Sequence, residues 1–498
     1  MLDAYRRELD ALLRRVTLPP SDPRVARLLE GAAFLLSRGR SDLEDELSEL
    51  TLPILPDAQR PLPPLAVLEM TPSPELRRSV ALQSSDVVTL RSPAGEAASW
   101  SIRTAVTLHP FVVDRVRVER RGPREQLLRI SLRSVTGNPL AAPPVFRFFV
   151  SVPDPQAAAE LVWAATSAPP SAFGAASAWL DDSHPSSALL RQHFTLPESF
   201  HWFDVQNSAT GGPVDRVELE VPLRVPLGWL ADLSATHLRT NCVGVTGVWN
   251  ETVEADTIAH DLPLTRHRIV RIDEFRSGAG PVPPWPAPRS ALSYRLEPVL
   301  DAATGSRAER VRFVSDAALD APPPAGPFRV QLQVTHAAHL TATAPADWQG
   351  TLHGSSVRNL TRVFPGCVPP SDANLAFRLN AYLRMPLQEL VRRESLEAFL
   401  SLHDPGPARA GGLVERTRFG SSHHVDGAGQ IRWVDEVEVT LADVGRGVAF
   451  RLAHLLEIAF VERTDLTRLV RTTVHLSGVA EPLHVGALLP GQRRPFPF

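Results

Sequence analysis

The chain has no lysine; all 52 of its cationic side chains are arginine. That absence removes the phosphate-cradling Gly-x-x-x-x-Gly-Lys loop, and with it a P-loop nucleotide hydrolase. Cysteine is nearly absent too, with only Cys242 and Cys367 among 498 residues. These two form no Cys-x-x-Cys and no paired Cys/His spacing, so a reducing compartment is expected, and neither a disulfide framework nor a zinc ribbon. No uninterrupted apolar run approaches the roughly 20 residues that a membrane-spanning helix needs, which excludes direct membrane insertion by helices. The opening MLDAYRRELDALLRRV is amphipathic and lacks the apolar core of a signal peptide, so the expected location is cytoplasmic. A net charge of -3 gives no global electrostatic pull toward nucleic acid.

Catalytic signatures are missing as well. There is no dinucleotide-binding Gly-x-Gly-x-x-Gly, no Gly-x-Ser-x-Gly elbow and no His-Glu-x-x-His. The metal-ligand candidates are His423-His424 with Asp426, read as exposed histidines of a glycine-rich loop over 420–429, and His454 with Glu457, read as a core histidine on an apolar helix. Cys242 with His260 or His267 could be drawn as a nucleophile and base, yet beside Val243 and Val245 it reads as a small core residue. Asp181-Asp182 with His184 reads as a polar loop. The Arg115–Arg124 cluster alternates with apolar residues, the pattern of a strand with one wet face and not of a nucleic-acid footprint. No catalytic residue, cofactor or metal is expected.

What is present is an ordinary soluble composition, 43% hydrophobic and 21% charged, with 47 prolines that favour many short elements. Asp22 caps a helix that starts at Pro23 and presents Val25, Leu28, Leu29, Ala32, Leu35 and Leu36 on one face. Arg38-Gly39 closes it. Ser41 and Glu44 make a capping box for a second, acidic helix carrying Leu43, Leu47 and Leu50, which Pro53 stops. With the helix of residues 2–16 this makes three short helices. Burying a leucine stabilises by about 1.5 to 3 kcal/mol, while ordering each residue costs about 1 to 2 kcal/mol, so these helices must dock on something else.

Beyond the proline-rich 53–64 connection the period changes to two. Val116 and Val118 alternate with charged residues, and so do Leu128, Ile130 and Leu132; strands are also expected over 145–150, 214–221, 311–314, 328–334 and 431–441. Helices are expected over 155–167, after Ser183 and around Phe450–Ala459. The fold class that results is α+β: an N-terminal helical hairpin region, a β-rich multi-domain body and a mixed C-terminal domain. Expected divisions are 1–60, 61–235, 236–370 and 371–498.

The order DPRVARLLEGAAFLLSR, DLEDELSELTLPILP, RPLPPLAVLEM resembles the opening of the TssF (VasA/ImpG) family of type VI secretion baseplate subunits. Further blocks are similar: Phe194, Pro197, Phe200 and Asp204; Arg239, Asn241 and Cys242 followed by Thr265, Arg266 and His267; and the segment from Ala376 to the C-terminus. The family's Cys-Thr-Asn-Arg segment has no clear counterpart, the nearest being Val334–Ala338. The resemblance implies a contractile-tail, wedge-like structural subunit. It would work with TssG, a second TssF copy and TssK, with TssE and the spike hub as further candidate partners, docked at the inner membrane through the secretion-system membrane complex. Val25, Leu28, Leu29, Leu35, Leu36, Leu43, Leu47 and Leu50 are then the expected partner interface. A wedge of another contractile injection system or phage-like tail, and a β-rich hydrolase or carbohydrate-binding protein, stay as alternatives.

Overall fold

In the computed structural model the described residues are 30–33, 35–36, 63–166, 185–207, 212–255, 267–284, 293–300, 307–314, 326–336, 348–361, 378–404, 412–425, 431–465 and 468–488, apart from short breaks inside these stretches. The chain divides into two units, residues 1–60 with 368–385, and 61–367 with 386–498. Within the first, 30–33 and 35–36 are helical, as the spacing from Val25 predicts, and Ala33 is buried. The second arm of the expected hairpin lies outside the described residues.

The second unit is β-rich with a few helices, and its centre is a closed barrel. Around it run Leu65–Thr71, Cys242–Thr246, Ala97–Ile102, Val87–Arg91, Gln349–Leu352 and Ser355–Asn359. Leu65–Thr71 pairs on one side with Cys242–Thr246 and on the other with Ser355–Asn359. Every residue of this strand but Thr71 is buried, because both of its faces are covered. Ala66, Leu68 and Met70 point into the barrel with Trp100, Val243, Val245 and Trp348. Leu65 and Val67 point outward, against Phe149, Ala188, Leu196 and Trp202. A continuous apolar run is what burial on two faces demands.

Phe111–Arg120, Gln126–Ser134 and Arg216–Leu223 form an antiparallel sheet with one wet face. On that face Arg129 bridges Glu119 at 3.2 Å and Glu220 at 3.1 Å, and Arg133 meets Asp114 at 3.3 Å. Arg129 and Arg133 are thus spent on cross-strand pairs, and from the 115–124 cluster Arg121 meets Glu220 at 3.3 Å. Val145–Val150 and Trp202–Gln206 pair in a second small sheet, joined by Phe148 stacked on Phe203 and by a two-pronged Arg147–Asp204 ion pair at 2.8 and 3.0 Å. Val248–Ala255, Phe328–His336 and His267–Ser277 form a further sheet. Its Phe275 and Phe328 pack on Tyr294 and Phe313 of the Ser293–Leu300 and Arg307–Val314 hairpin.

The α-helices among the described residues of this unit are α1 (Pro155–Thr166), α2 (Pro185–Thr195), α3 (Leu387–Leu390), α4 (Arg393–His403) and α5 (Arg446–Val461). The C-terminal sheet runs Val414–Val425, Ile431–Leu441, Leu469–Leu476, His484–Leu488, and its second and third strands are parallel, with α5 as their crossover. Helix α5 is buried nearly all round, because it packs on α1 and α2 as well as on this sheet. Two glycines start it. Gly445 takes φ 81°, where a side chain is strained, and Gly447 lies so close to α1 that a Cβ would overlap the backbone of Ala159 and Glu160.

Gly447→Ala should therefore destabilise the chain by about 3 kcal/mol, at the upper end of overpacking costs. Gly420→Ala, where a Cβ would meet nothing within 4 Å, is the control. Denaturant midpoints of the two variants against the parent check this, and equal midpoints would mean the α1–α5 crossing is loose.

Candidate functional site

Cys242 sits in a barrel strand, buried, with its thiol pushed well up by burial and by the neighbouring Glu69 carboxylate. A thiol held protonated is no nucleophile. Its neighbour Asn241 adopts φ 56°, and its side chain accepts from His109 N–H and donates to the carbonyls of His109 and Phe111. The Arg-x-Asn-Cys segment is therefore a backbone lock at the entrance to the strand, which sequence reading did not assign. His267 opens a strand of another sheet, and His260, Asp181, Asp182 and His184 lie outside the described residues.

His423 and His424 lie on the long strand Val414–Val425, not in a glycine-rich loop. Gly420, which suggested the loop, is paired opposite Glu436 in the middle of the ladder. His423 stands edge-on to Trp433, with ring centres 6.1 Å apart. Asp426 lies outside the described residues.

His454 is not a solitary core histidine. It lies on α5 with its Nδ1 3.7 Å from Glu457 Oε2, and His484 from the last strand brings Nε2 to 3.1 Å from the same oxygen. Burial pushes the Glu457 carboxyl up, but its interactions with the two imidazoles outweigh burial and carry it down to about 2. No spacing signal could have added His484, which is far along the chain from His454.

A cavity of about 450 Å³ opens beside the barrel, lined among others by Met70, Val113, Gln349 and Gly350. Its charged corner is Glu69, buried in the Leu65–Thr71 strand, with Arg358 Nε at 2.7 Å and Arg239 Nη1 at 3.4 Å. Two arginines share this one carboxylate, so the corner joins barrel strand to neighbouring sheet and keeps a net positive charge.

Among the described residues, large apolar side chains are exposed at Val87 of the barrel, at two neighbouring positions of the first unit and in the C-terminal sheet. Leu35 is 69% and Leu36 50% exposed, on the face expected to meet a partner. Val25, Leu28, Leu29, Leu43, Leu47 and Leu50 lie outside the described residues. In the C-terminal sheet, Ile431 and Trp433 are 69% and 54% exposed, although they share the strand face of buried Val437, Val439 and Leu441. That face runs past its helical cover, and Arg468 lies over the Trp433 ring while bonding buried Asp435.

A second set of residues welds the motif blocks together. Arg451 of α5 is buried; its Nη1 donates to the Pro197 carbonyl at 2.9 Å and its guanidinium lies over Phe200. Burial lowers its pKa to about 10, and burial together with Arg451 holds His193 and His201 well below their ordinary value. His403 of α4 is buried between the Phe399 carbonyl and Ser187 Oγ, and burial lowers it to about 3. These three imidazoles stay neutral in the folded chain, whereas unfolded they take up protons below about pH 6.5. Their lowered values contribute stability in full above that pH, lost as pH falls toward the folded values at up to about 1.4 kcal/mol per unit for each group. Urea midpoints should drop between pH 7.5 and pH 5.5, and His403→Gln should reduce the slope by about one proton; a flat profile would contradict neutral burial.

With the geometry in hand, comparison with known proteins is informative. The model of the family "Type VI secretion system, TssF" matches residues 11–159, so the resemblance carried by the opening motif is borne out there. A chain of the cryo-electron microscopy structure of the type VI secretion system TssK-TssF-TssG baseplate subcomplex superposes with TM-score 0.69 at 17% identity, covering 93% of this chain and 100% of that one. A chain of the type VI secretion system baseplate complex superposes with TM-score 0.58 at 14% identity, covering 95% and 96%. At these identities the likeness is one of fold. No curated protein sequence matches the chain.

Proposed function

We propose that this chain is a TssF-type wedge subunit of a type VI secretion baseplate, a structural protein and not an enzyme. The observation that carries the reading is the TssF family match over residues 11–159, on a fold that follows one chain of a TssK-TssF-TssG assembly along its whole length. Buried Cys242, its thiol held protonated, supports it by removing the nucleophile that the sequence could have offered an enzyme. The work done is mechanical: wedges hold the platform on which tube and sheath assemble, and rearrange to release contraction. The partners are TssG, a second copy of the chain and TssK, with TssE and the spike hub at the inner rim. The subunit works from the cytoplasm, docked at the inner membrane through the membrane complex. No helix among the described residues is long and apolar enough to cross a membrane.

In this reading residues 1–60 supply helices to a core bundle shared with the partner, residues 374–498 within the 371–498 domain contact the other copy or neighbouring wedges, and 61–235 and 236–370 are β-rich domains. Leu35 and Leu36 support the first assignment. At 69% and 50% exposure, covering the two by a partner helix is worth about 2 to 4 kcal/mol together, so the pair accounts for at least about tenfold in affinity. Co-expression with a TssG protein should yield a complex of two copies to one TssG, and Leu35→Asp with Leu36→Asp should lower recovery at least tenfold while leaving the urea midpoint unchanged. Undiminished recovery would remove these leucines from the interface; no complex with the parent chain would overturn the wedge reading itself.

A further inference from the structure

We propose that His454, Glu457 and His484 form a structural site for a divalent transition metal of the zinc class, stapling helix α5 to the last strand of the C-terminal sheet. The three side chains come from two elements that the fold brings together: the third and fourth turns of α5, and the start of His484–Leu488. Each offers one donor atom, and the three donors lie within 4.8 Å of one another. Zinc held at about 2.0 to 2.2 Å by nitrogen and oxygen in a tetrahedron sets neighbouring donors about 3.3 Å apart. The separations from Glu457 Oε2, 3.1 Å to His484 Nε2 and 3.7 Å to His454 Nδ1, bracket that value.

Further observations favour an ion over a plain hydrogen-bonded cluster. The rings of His454 and His484 meet edge to face, with centres 4.2 Å apart and planes inclined at 68°. Glu457 Oε1 is buried without a hydrogen-bond partner, and a carboxylate oxygen in that position is costly unless something positive shares the group. Facing it is Gly486, where a Cβ would overlap Oε1 and crowd His484 Nε2, so the strand leaves the carboxylate its room by having no side chain there. Phe450 packs edge-on to the His454 ring at 4.7 Å and lies 6.3 Å from the His484 ring, fixing both imidazoles from one side. The His454 side chain keeps 16% of its surface exposed, which leaves a water a way in as fourth ligand. Two neutral imidazoles and one carboxylate give N, N and O donors, a set that suits zinc and its late first-row neighbours and not magnesium or calcium.

The test uses the full-length, tag-free chain in its co-expressed complex, stripped with a chelator, dialysed, and titrated with Zn2+ alone. One equivalent of Zn2+ should be retained, and the melting temperature should rise on its addition; Mg2+ should do neither. His454→Gln with His484→Gln should lose the retained zinc and the thermal increment, whatever these substitutions do to the apo melting temperature. Exposed His423→Gln with His424→Gln should keep both. Gly486→Ala should weaken zinc retention by crowding Glu457. No retention by the parent chain, or retention that survives in the His454/His484 variant, overturns the site and leaves the cluster a carboxylate–imidazole network.

Discussion

The C-terminal half of the described β-rich unit hangs on a single close approach, the crossing of α5 over α1 at Gly447. Backbone meets backbone there, so α5 can lie deep enough to touch α1, α2 and the C-terminal sheet at once. Everything polar on α5 follows from that depth. Arg451 must find the Pro197 carbonyl and the Phe200 face, Glu457 must find its two histidines, and Glu462 reaches the start of α2 to accept from the backbone and hydroxyl of Ser186. A helix lying higher on the sheet could have left all three in water.

The same logic explains why separate stretches of sequence belong to one body. The Phe-x-x-Pro-x-x-Phe block forms the turn that receives Arg451. The Arg-x-Asn-Cys block ties the barrel to the sheet containing Phe111 through Asn241, while Glu69 of the opening motif's last strand gathers Arg239 and Arg358. Each of these groups satisfies a buried polar group at a junction between elements.

Local pattern made much of this legible. Alternation over 115–119 and 128–132 announced strands with a wet face because each carries its register in its own side chains, and the helices at 155–166 and 446–461 showed their apolar stripes. The fold class was readable to the level of a β-rich body with helices. The barrel was not, because its closure depends on pairings such as Leu68 with Asn359 that no window contains. His423-His424 misled in the other direction: glycine at 420 and acidic and small residues after 425 read as loop, while eleven paired positions of ladder held that segment extended. His484 carried no signal of its own, since only α5 packing against the final strand makes it a neighbour of Glu457.

The closing strands of the barrel also set an order in time. Leu65–Thr71 is apolar on both faces, yet one of its neighbours begins at Cys242 and the other ends at Asn359. During synthesis this strand precedes both partners, so one edge waits for the chain to reach Thr246 and the other for it to reach Asn359. A growing chain therefore carries a sticky, unpaired strand through much of its translation.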